Sequence, residues 1–171
     1  TPFVEAVSGN HLQPYEYFGR QAVKFNLHEN EIICVNCGIG KVNAANCAMH
    51  LIDNGCTYIM NFGLSGGISG VRKGELVLPN KFLEHDFDLS GIGYKLCEKP
   101  SQEYIYSADE KLLSVANSIV NSLKFGTAVT GDHFICDPDV RDSLKENFNA
   151  VSCDMETAAI AYVCAFTSVP F

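Results

Sequence analysis

With 171 residues, 47% of them hydrophobic, the chain is long enough to bury one continuous core without a structural metal or disulfide staples. Its formal net charge of -8, with 12 basic residues spread out and none in a cluster beyond the Arg72–Lys73 pair, produces a field that repels nucleic acid and anionic membrane, which leaves small or neutral partners. The longest apolar stretch, over residues 158–166, is nine residues against the ~20 a membrane span needs, and the opening TPFVEAVSG has no signal pattern, so a soluble chain is expected.

Strand and helix patterns alternate without a Pro-, Ser- or Gly-rich linker, which predicts a single α/β domain over residues 1–171 built on a largely buried sheet. Residues 1–7 read as the remnant of a helix. A hairpin is predicted in YFGRQAVKFNLHENEIICVNC, turned at residues 28–30. From Lys41, Val42, Ala45, Met49 and Ile52 recur at helical spacing until Asn54 and Gly55 supply a C-cap. TYIMNF is short, apolar and β-rich, and predicts a strand that runs into the glycine-dense GLSGG. GELVLPNKFLEHDFD predicts a long bent strand with Pro79 at a bulge or edge.

Ser107 and Glu110 fit a capping box before the helix DEKLLSVANSIVNSL. FGTAVTG is the next strand. Asp137 and Pro138 supply an N-cap and a first-turn proline for DVRDSLKENF, and the strand AVSCD leads into the helix METAAIAYVCAFT. Thr1 opens inside helix-like sequence, and SVPF stops where apolar residues after a helix normally start another strand. The sheet is therefore expected to lack its first and last core strands.

Eight cysteines lie mostly among apolar neighbours, where a free thiol behaves as a small buried hydrophobe, and this favours a reducing, cytoplasmic setting. Cys34 and Cys37 form a lone CxxC. A zinc site needs a second ligand pair and a thioredoxin-type motif needs a helix start between its cysteines, so ordinary core thiols are the favoured reading.

Five constellations carry chemistry-bearing residues. Cys37-Gly38-Ile39-Gly40-Lys41 is a strand-to-helix turn that suits either backbone amides facing a bound group or tight-turn geometry alone; it lacks the dinucleotide and P-loop fingerprints. Asn61-Phe62-Gly63-Leu64-Ser65-Gly66-Gly67 strips side chains from a strand end, where open α/β sheets place ligands, and is equally compatible with a flexible turn. In Gly131-Asp132-His133-Phe134-Ile135-Cys136, Phe134 offers a face for a flat base and Ile135 offers backbone donors and acceptors, although a lone Phe after a strand is more often core. Asp154-Met155-Glu156 puts a carboxylate among small apolar residues. Glu156 suits either capping of its own helix or acceptance of hydrogen bonds from the vicinal hydroxyls of a sugar, with Met155 against the sugar face. His85-Asp86-Phe87-Asp88 has metal-ligand residue types, but strand alternation would point them to opposite faces, so a hydrogen-bonded or subunit-contact role is favoured over a metal.

In this order, GIGKV, NFGLSGG with GELVLP, HDFDLSGIGY, TGDHFI and DMETAAIAYVC resemble the successive motifs of the 5'-methylthioadenosine/S-adenosylhomocysteine nucleosidases, over roughly residues 32–171. The resemblance implies a phosphorylase/hydrolase-like fold, a three-layer α/β/α sandwich around a twisted mixed central sheet. It also implies hydrolysis of the ribose-to-purine bond of an adenine nucleoside, with neither cofactor nor metal. It matches Phe134 to the aromatic that stacks on adenine, Ile135 to the residue whose backbone reads the base edge, and Ser65 and Gly66 to the glycine loop beside the base. Met155 and Glu156 match the pair that holds the ribose, and Ile39 with Ile92 of a neighbouring subunit would line the pocket for the 5'-substituent, which implies a homodimer.

Cleavage through an oxocarbenium-like state needs an acid for the leaving purine and a base for water, while a carboxylate on the ribose hydroxyls stabilises the cationic sugar. The resemblance places the base after the family's first strand and the acid after the strand that would follow Phe171, both outside this sequence, and leaves Glu156 the third role. Leu64 stands where the family usually has a hydroxyl, and Ile92 where it usually has an aromatic. A nucleoside phosphorylase would need arginines and hydroxyls near the glycine loops, whereas Arg20, Arg72 and Arg141 are remote from the motifs in sequence. A non-catalytic nucleoside-binding protein is the other alternative, motivated by Leu64.

Overall fold

The computed structural model describes residues 12, 14–120 and 123–171. The helix remnant predicted over residues 1–7 and the end of the helix predicted through residues 121–122 lie outside them. The chain divides into two compact units, residues 1–38 and residues 39–171.

In the first unit β1 (Tyr15–Tyr17), β2 (Arg20–Leu27) and β3 (Asn30–Val35) form an antiparallel meander. Tyr17 pairs with Arg20 and Leu27 with Asn30, so both connections are two-residue turns. Phe18, Gly19 and His28 carry the positive φ that such turns require, at 49°, 73° and 54°. The β2–β3 turn falls at the predicted residues.

The second unit begins with α1 (Lys41–Asp53), ended by Asn54 and by Gly55 at φ +93° as its sequence predicts. Strands β4 (Gly66–Gly67), β5 (Lys81–Glu84), β6 (Tyr106–Ser107), β7 (Thr127–Thr130) and β8 (Ala150–Asp154) form a mixed five-stranded sheet in the order β4-β8-β7-β5-β6. β5, β7 and β8 run parallel, with β6 antiparallel on one edge and β4 antiparallel on the other. The helices between them are α2 (Glu110–Ile119), α3 (Pro138–Phe148) and α4 (Thr157–Thr167).

Period-two alternation buries both faces of this sheet. Phe82, Tyr106 and Ala128 pack with Ala158 and Ala161 of α4. Their neighbours Leu83, Val129 and Ala150 pack with Cys97 and with Leu144 of α3. α1 packs along α4. Helices thus cover opposite faces, which is the expected three-layer α/β/α architecture. No helix among the described residues is long and apolar enough to cross a membrane.

Three local expectations are corrected. TYIMNF buries only Ile59, between exposed Tyr58 and Met60, and forms no ladder among the described residues; the Ile59 N–H donates to the Pro170 carbonyl at 3.0 Å. The long strand predicted across Pro79 is regular only over β5. Before it, Val77 makes an isolated bridge to Lys124, and the N–H groups of Leu78 and Asn80 donate to Lys124 and Gly126 at 2.9 and 3.0 Å. Pro79 has no N–H to give the other side. After β5 the chain turns at His85 and Asp86, so alternation does not govern the HDFD segment. The cap of α2 is Asp109, whose carboxylate accepts the N–H groups of Lys111 and Leu112 at 3.0 Å, while Ser107 belongs to β6.

Candidate active site

Because β5, β7 and β8 are parallel, their carboxyl ends lie at one end of the sheet, where open α/β folds bind ligands. Gly66 pairs antiparallel with Cys153, which brings Ser65 and Gly66 to the same end. A Cβ on Gly66 would stand 2.8 Å from the Cys153 Sγ, so only glycine fits there without displacing the thiol.

Asp154, the last residue of β8, organises the start of α4. Its Oδ1 accepts the N–H groups of Glu156 and Thr157 at 3.0 and 2.9 Å and the Thr130 hydroxyl at 2.7 Å; its Oδ2 accepts the Thr157 hydroxyl at 2.5 Å. The buried Thr130 hydroxyl in turn accepts the Ala158 N–H at 2.9 Å, and Asn61 donates to the Thr157 hydroxyl at 2.9 Å. Asp154 therefore performs the capping that the sequence assigned as one option to Glu156, whose side chain makes no capping bond. Glu156 instead points at the turn before α1: its Oε1 accepts the Gly40 N–H at 2.8 Å, and its Oε2 accepts the Met155 N–H at 3.3 Å. A carboxylate offers about four lone-pair sites, so two acceptor sites are left for other donors.

Gly40 has φ +93°, and a Cβ there would meet the Asp132 Oδ1 at 3.0 Å. Asp132 holds this turn to the β7–α3 loop by accepting the Lys41 N–H at 2.8 Å. Two residues on, Phe134 is 77% exposed, so it is not a core aromatic, whereas Ile135 is half-buried against the cluster around Leu83 and Leu144. Ile39 and Leu64 are exposed at the same strand ends, on the turn before Gly40 and the loop before Ser65. The chain therefore gathers Ile39, Ser65, Gly66, Phe134, Ile135, Met155 and Glu156 around one sheet end. Ile92 is 72% exposed on a single 3-10 turn at Ser90–Ile92.

A cluster of ion pairs supports this end of the sheet. Lys41 Nζ contacts Glu84 at 3.2 Å and Asp86 at 2.6 Å, and Lys99 also pairs with Glu84. Lys99 is only 9% exposed and lies 5.2 Å from the ring centre of Phe87 and 5.6 Å from that of Tyr162. Burial alone would lower the Lys41 pKa, but its hydrogen bonds to Asp86 and Glu84 outweigh that and hold it above the ordinary lysine value. Burial would likewise raise that of Asp86, yet Lys41 and the Asp132 N–H hold it below the usual carboxylate range. His85 is depressed, first by burial, and its Nε2 is buried with no hydrogen-bond partner.

The sequence alone gives Asp154 and Lys41 no role and favours a hydrogen-bonded or subunit-contact role over a metal for the segment that holds Asp86, and Asp86 is hydrogen-bonded, to Lys41 and to the Asp132 N–H. Asp154 had a usable signal in its type and place, since an aspartate at a strand end before a helical run reads as a helix cap. Asp86 had none, because its partners lie 45 and 46 residues away. Among the described residues no group of three or more His, Cys, Asp or Glu side chains is placed to hold a metal ion.

Residues 6–171 match the model of the phosphorylase superfamily. The chain is similar to the 5'-methylthioadenosine/S-adenosylhomocysteine nucleosidase of Tolumonas auensis, at 31% identity over 95% of this chain and 74% of that protein. Its fold is similar to a Helicobacter pylori nucleosidase variant solved with 5'-methylthioadenosine in the active site, with a TM-score of 0.92 and 26% identity over 99% of this chain and 75% of the other. It is equally similar to the futalosine hydrolase of Helicobacter pylori, with a TM-score of 0.93 and 27% identity over 99% and 75% of the two chains.

Proposed function

The chain belongs to the phosphorylase superfamily and, within it, to the 5'-methylthioadenosine/S-adenosylhomocysteine nucleosidases, and from this we propose that it hydrolyses the N-glycosidic bond of an adenine nucleoside to release adenine. Methylthioadenosine and S-adenosylhomocysteine are the substrates the membership supports best. The observation that carries the reading onto particular residues is the division of labour at the start of α4. Asp154 takes the capping bonds, and Glu156 keeps two acceptor sites beside an exposed aromatic and a glycine strand end.

In this reading Glu156 accepts hydrogen bonds from the two ribose hydroxyls. As the bond to the purine lengthens and positive charge grows on the sugar, a carboxylate so placed stabilises the transition state more than the ground state. The exposed ring of Phe134 stacks on the base, the backbone of Ile135 reads its edge, and Ser65 and Gly66 allow the base to approach β4. Met155 packs on the sugar. Ile39 and Ile92 from a second copy enclose the 5'-substituent, so the working form is a homodimer; the exposure of the Ile92 side chain, which leaves it available to a second copy, supports this. The acid for the leaving purine and the base for water are not assigned to residues of this chain. Eight free thiols, three of them buried, support a reducing cytoplasmic setting.

Adenine release from methylthioadenosine by the full-length protein, with and without phosphate and beside a Glu156→Ala variant, tests the reading. Phosphate-independent release that the variant loses is the expected result. Tight nucleoside binding without release would overturn it in favour of a binding protein, and release that requires phosphate would make the protein a phosphorylase. Futalosine tried alongside methylthioadenosine separates the two activities named for its structural relatives.

A further inference from the structure

The reading above leaves Asp86 unused, although its carboxylate is the junction between the two loops that face the substrate. Asp86 follows β5 at the turn. Its Oδ1 receives the Lys41 ammonium at 2.6 Å and its Oδ2 the backbone N–H of Asp132 at 2.8 Å. Asp132 closes a triangle by accepting the backbone N–H of Lys41 at 2.8 Å. The three corners come from three elements: the end of β5, the start of α1 and the β7–α3 loop.

Two of these corners lead directly to the substrate side. Lys41 is the neighbour of Gly40, whose N–H donates to Glu156 at 2.8 Å, and Asp132 precedes Phe134 by two residues. Glu156 is the residue read as holding the sugar and Phe134 the residue read as holding the base. The bond to be broken lies between those two groups. Glu84, shared by Lys41 and Lys99, braces the Lys41 ammonium from the other side, so two lysines and two carboxylates balance in a half-buried cluster.

Resting on the reading of Glu156 and Phe134 above, we propose that Asp86 is a positioning residue for nucleoside cleavage, its carboxylate fixing the α1 turn against the β7–α3 loop and thereby the sugar-holding group against the base-holding group. It touches no substrate atom. Its effect falls on kcat, because a misaligned sugar and base still bind while the attack geometry is lost, and a displacement of about 1 Å in such a geometry costs on the order of 100-fold. Asparagine at position 86 keeps the shape but offers one acceptor oxygen where two are used, so one strut of the triangle opens.

The test is steady-state adenine release by full-length wild type, Asp86→Asn, Lys41→Gln and the double variant, with kcat expressed per folded protein from the thermal melt of each. We expect Asp86→Asn to lower kcat roughly 10- to 100-fold with KM moved less than about threefold. The double variant should lose no more than the worse single variant, since both remove the same strut. Should Asp86→Asn not fold, Lys41→Gln carries the same expectation. A kcat within about threefold of wild type in whichever variant folds, or losses that multiply in the double variant, overturns the positioning role and leaves the nucleosidase reading standing. Absence of release from wild type itself overturns both.

Discussion

Replacing Asp154 by alanine removes four hydrogen bonds at once, and the structure allows the cost to be built up partner by partner. Loss of a helix N-cap costs about 1 kcal/mol. The Thr130 hydroxyl is 0% exposed and cannot turn to water, so its orphaned donor costs about 2 kcal/mol. Thr157 keeps its bond from Asn61 and is 8% exposed, which limits its loss to about 1 kcal/mol. These terms give about 4 kcal/mol for Asp154→Ala, large for a half-buried polar residue because the carboxylate serves the backbone and side chains together. Asp154→Asn retains one carbonyl oxygen for the cap and should cost about half as much. Urea unfolding of the full-length protein at pH 7, with the slope held common, measures both; a melt should show the alanine variant about 8 to 16 °C lower. An alanine variant within about 1 kcal/mol of wild type would refute the assignment of Asp154 as the organiser of α4.

Two further outcomes follow from contacts at the same sheet end. Gly66→Ala should destabilise the protein by about 1–3 kcal/mol, because its Cβ meets Cys153 Sγ at 2.8 Å, and Cys153→Ala in the same chain should recover most of that loss. A double variant no more stable than Gly66→Ala would mean that the backbone of β4, not the thiol, sets the limit. His85, depressed by burial despite the neighbouring Asp86, takes up its proton in the unfolded chain before the folded one. Stability should therefore fall as pH drops from about 6.5 through the folded pKa, with a slope of up to about 1.4 kcal/mol per pH unit, and His85→Gln should flatten it. An unchanged slope in that variant would show that other groups control acid stability.

The sequence discloses the helices and central strands well because each rests on local signals. Asp137 and Pro138 announce α3, Asn54 and Gly55 end α1, and the short apolar runs of β7 and β8 are too brief for helices and are bounded by turn residues. TYIMNF and the Pro79 segment differ from their sequence reading because a strand is defined by its partner, and an apolar, β-rich composition does not supply one. At the candidate site, Glu156 stands out as a carboxylate that is expensive among small apolar residues, whereas Phe134 reads from the sequence as more often core and only the structure shows it exposed. The Asp86–Lys41–Asp132 triangle was not legible, since it depends on three chain segments meeting across 45 to 91 residues of sequence, and no spacing rule spans that distance.

The carboxyl end of the sheet places two kinds of position side by side. Thr130 and Thr157 are buried and carry the bonds that organise α4, whereas Phe134, Ile39 and the fully exposed Leu64 carry almost none of the packing. Substitutions in the first set are paid in folding free energy and are rarely survivable, while those in the second leave stability within about 0.5 kcal/mol. Inherited variation can therefore explore new nucleosides at the rim, one residue at a time, over a platform that does not drift with it. The leucine at position 64 sits on that rim: an apolar side chain so fully exposed that its replacement would disturb no packing beneath it.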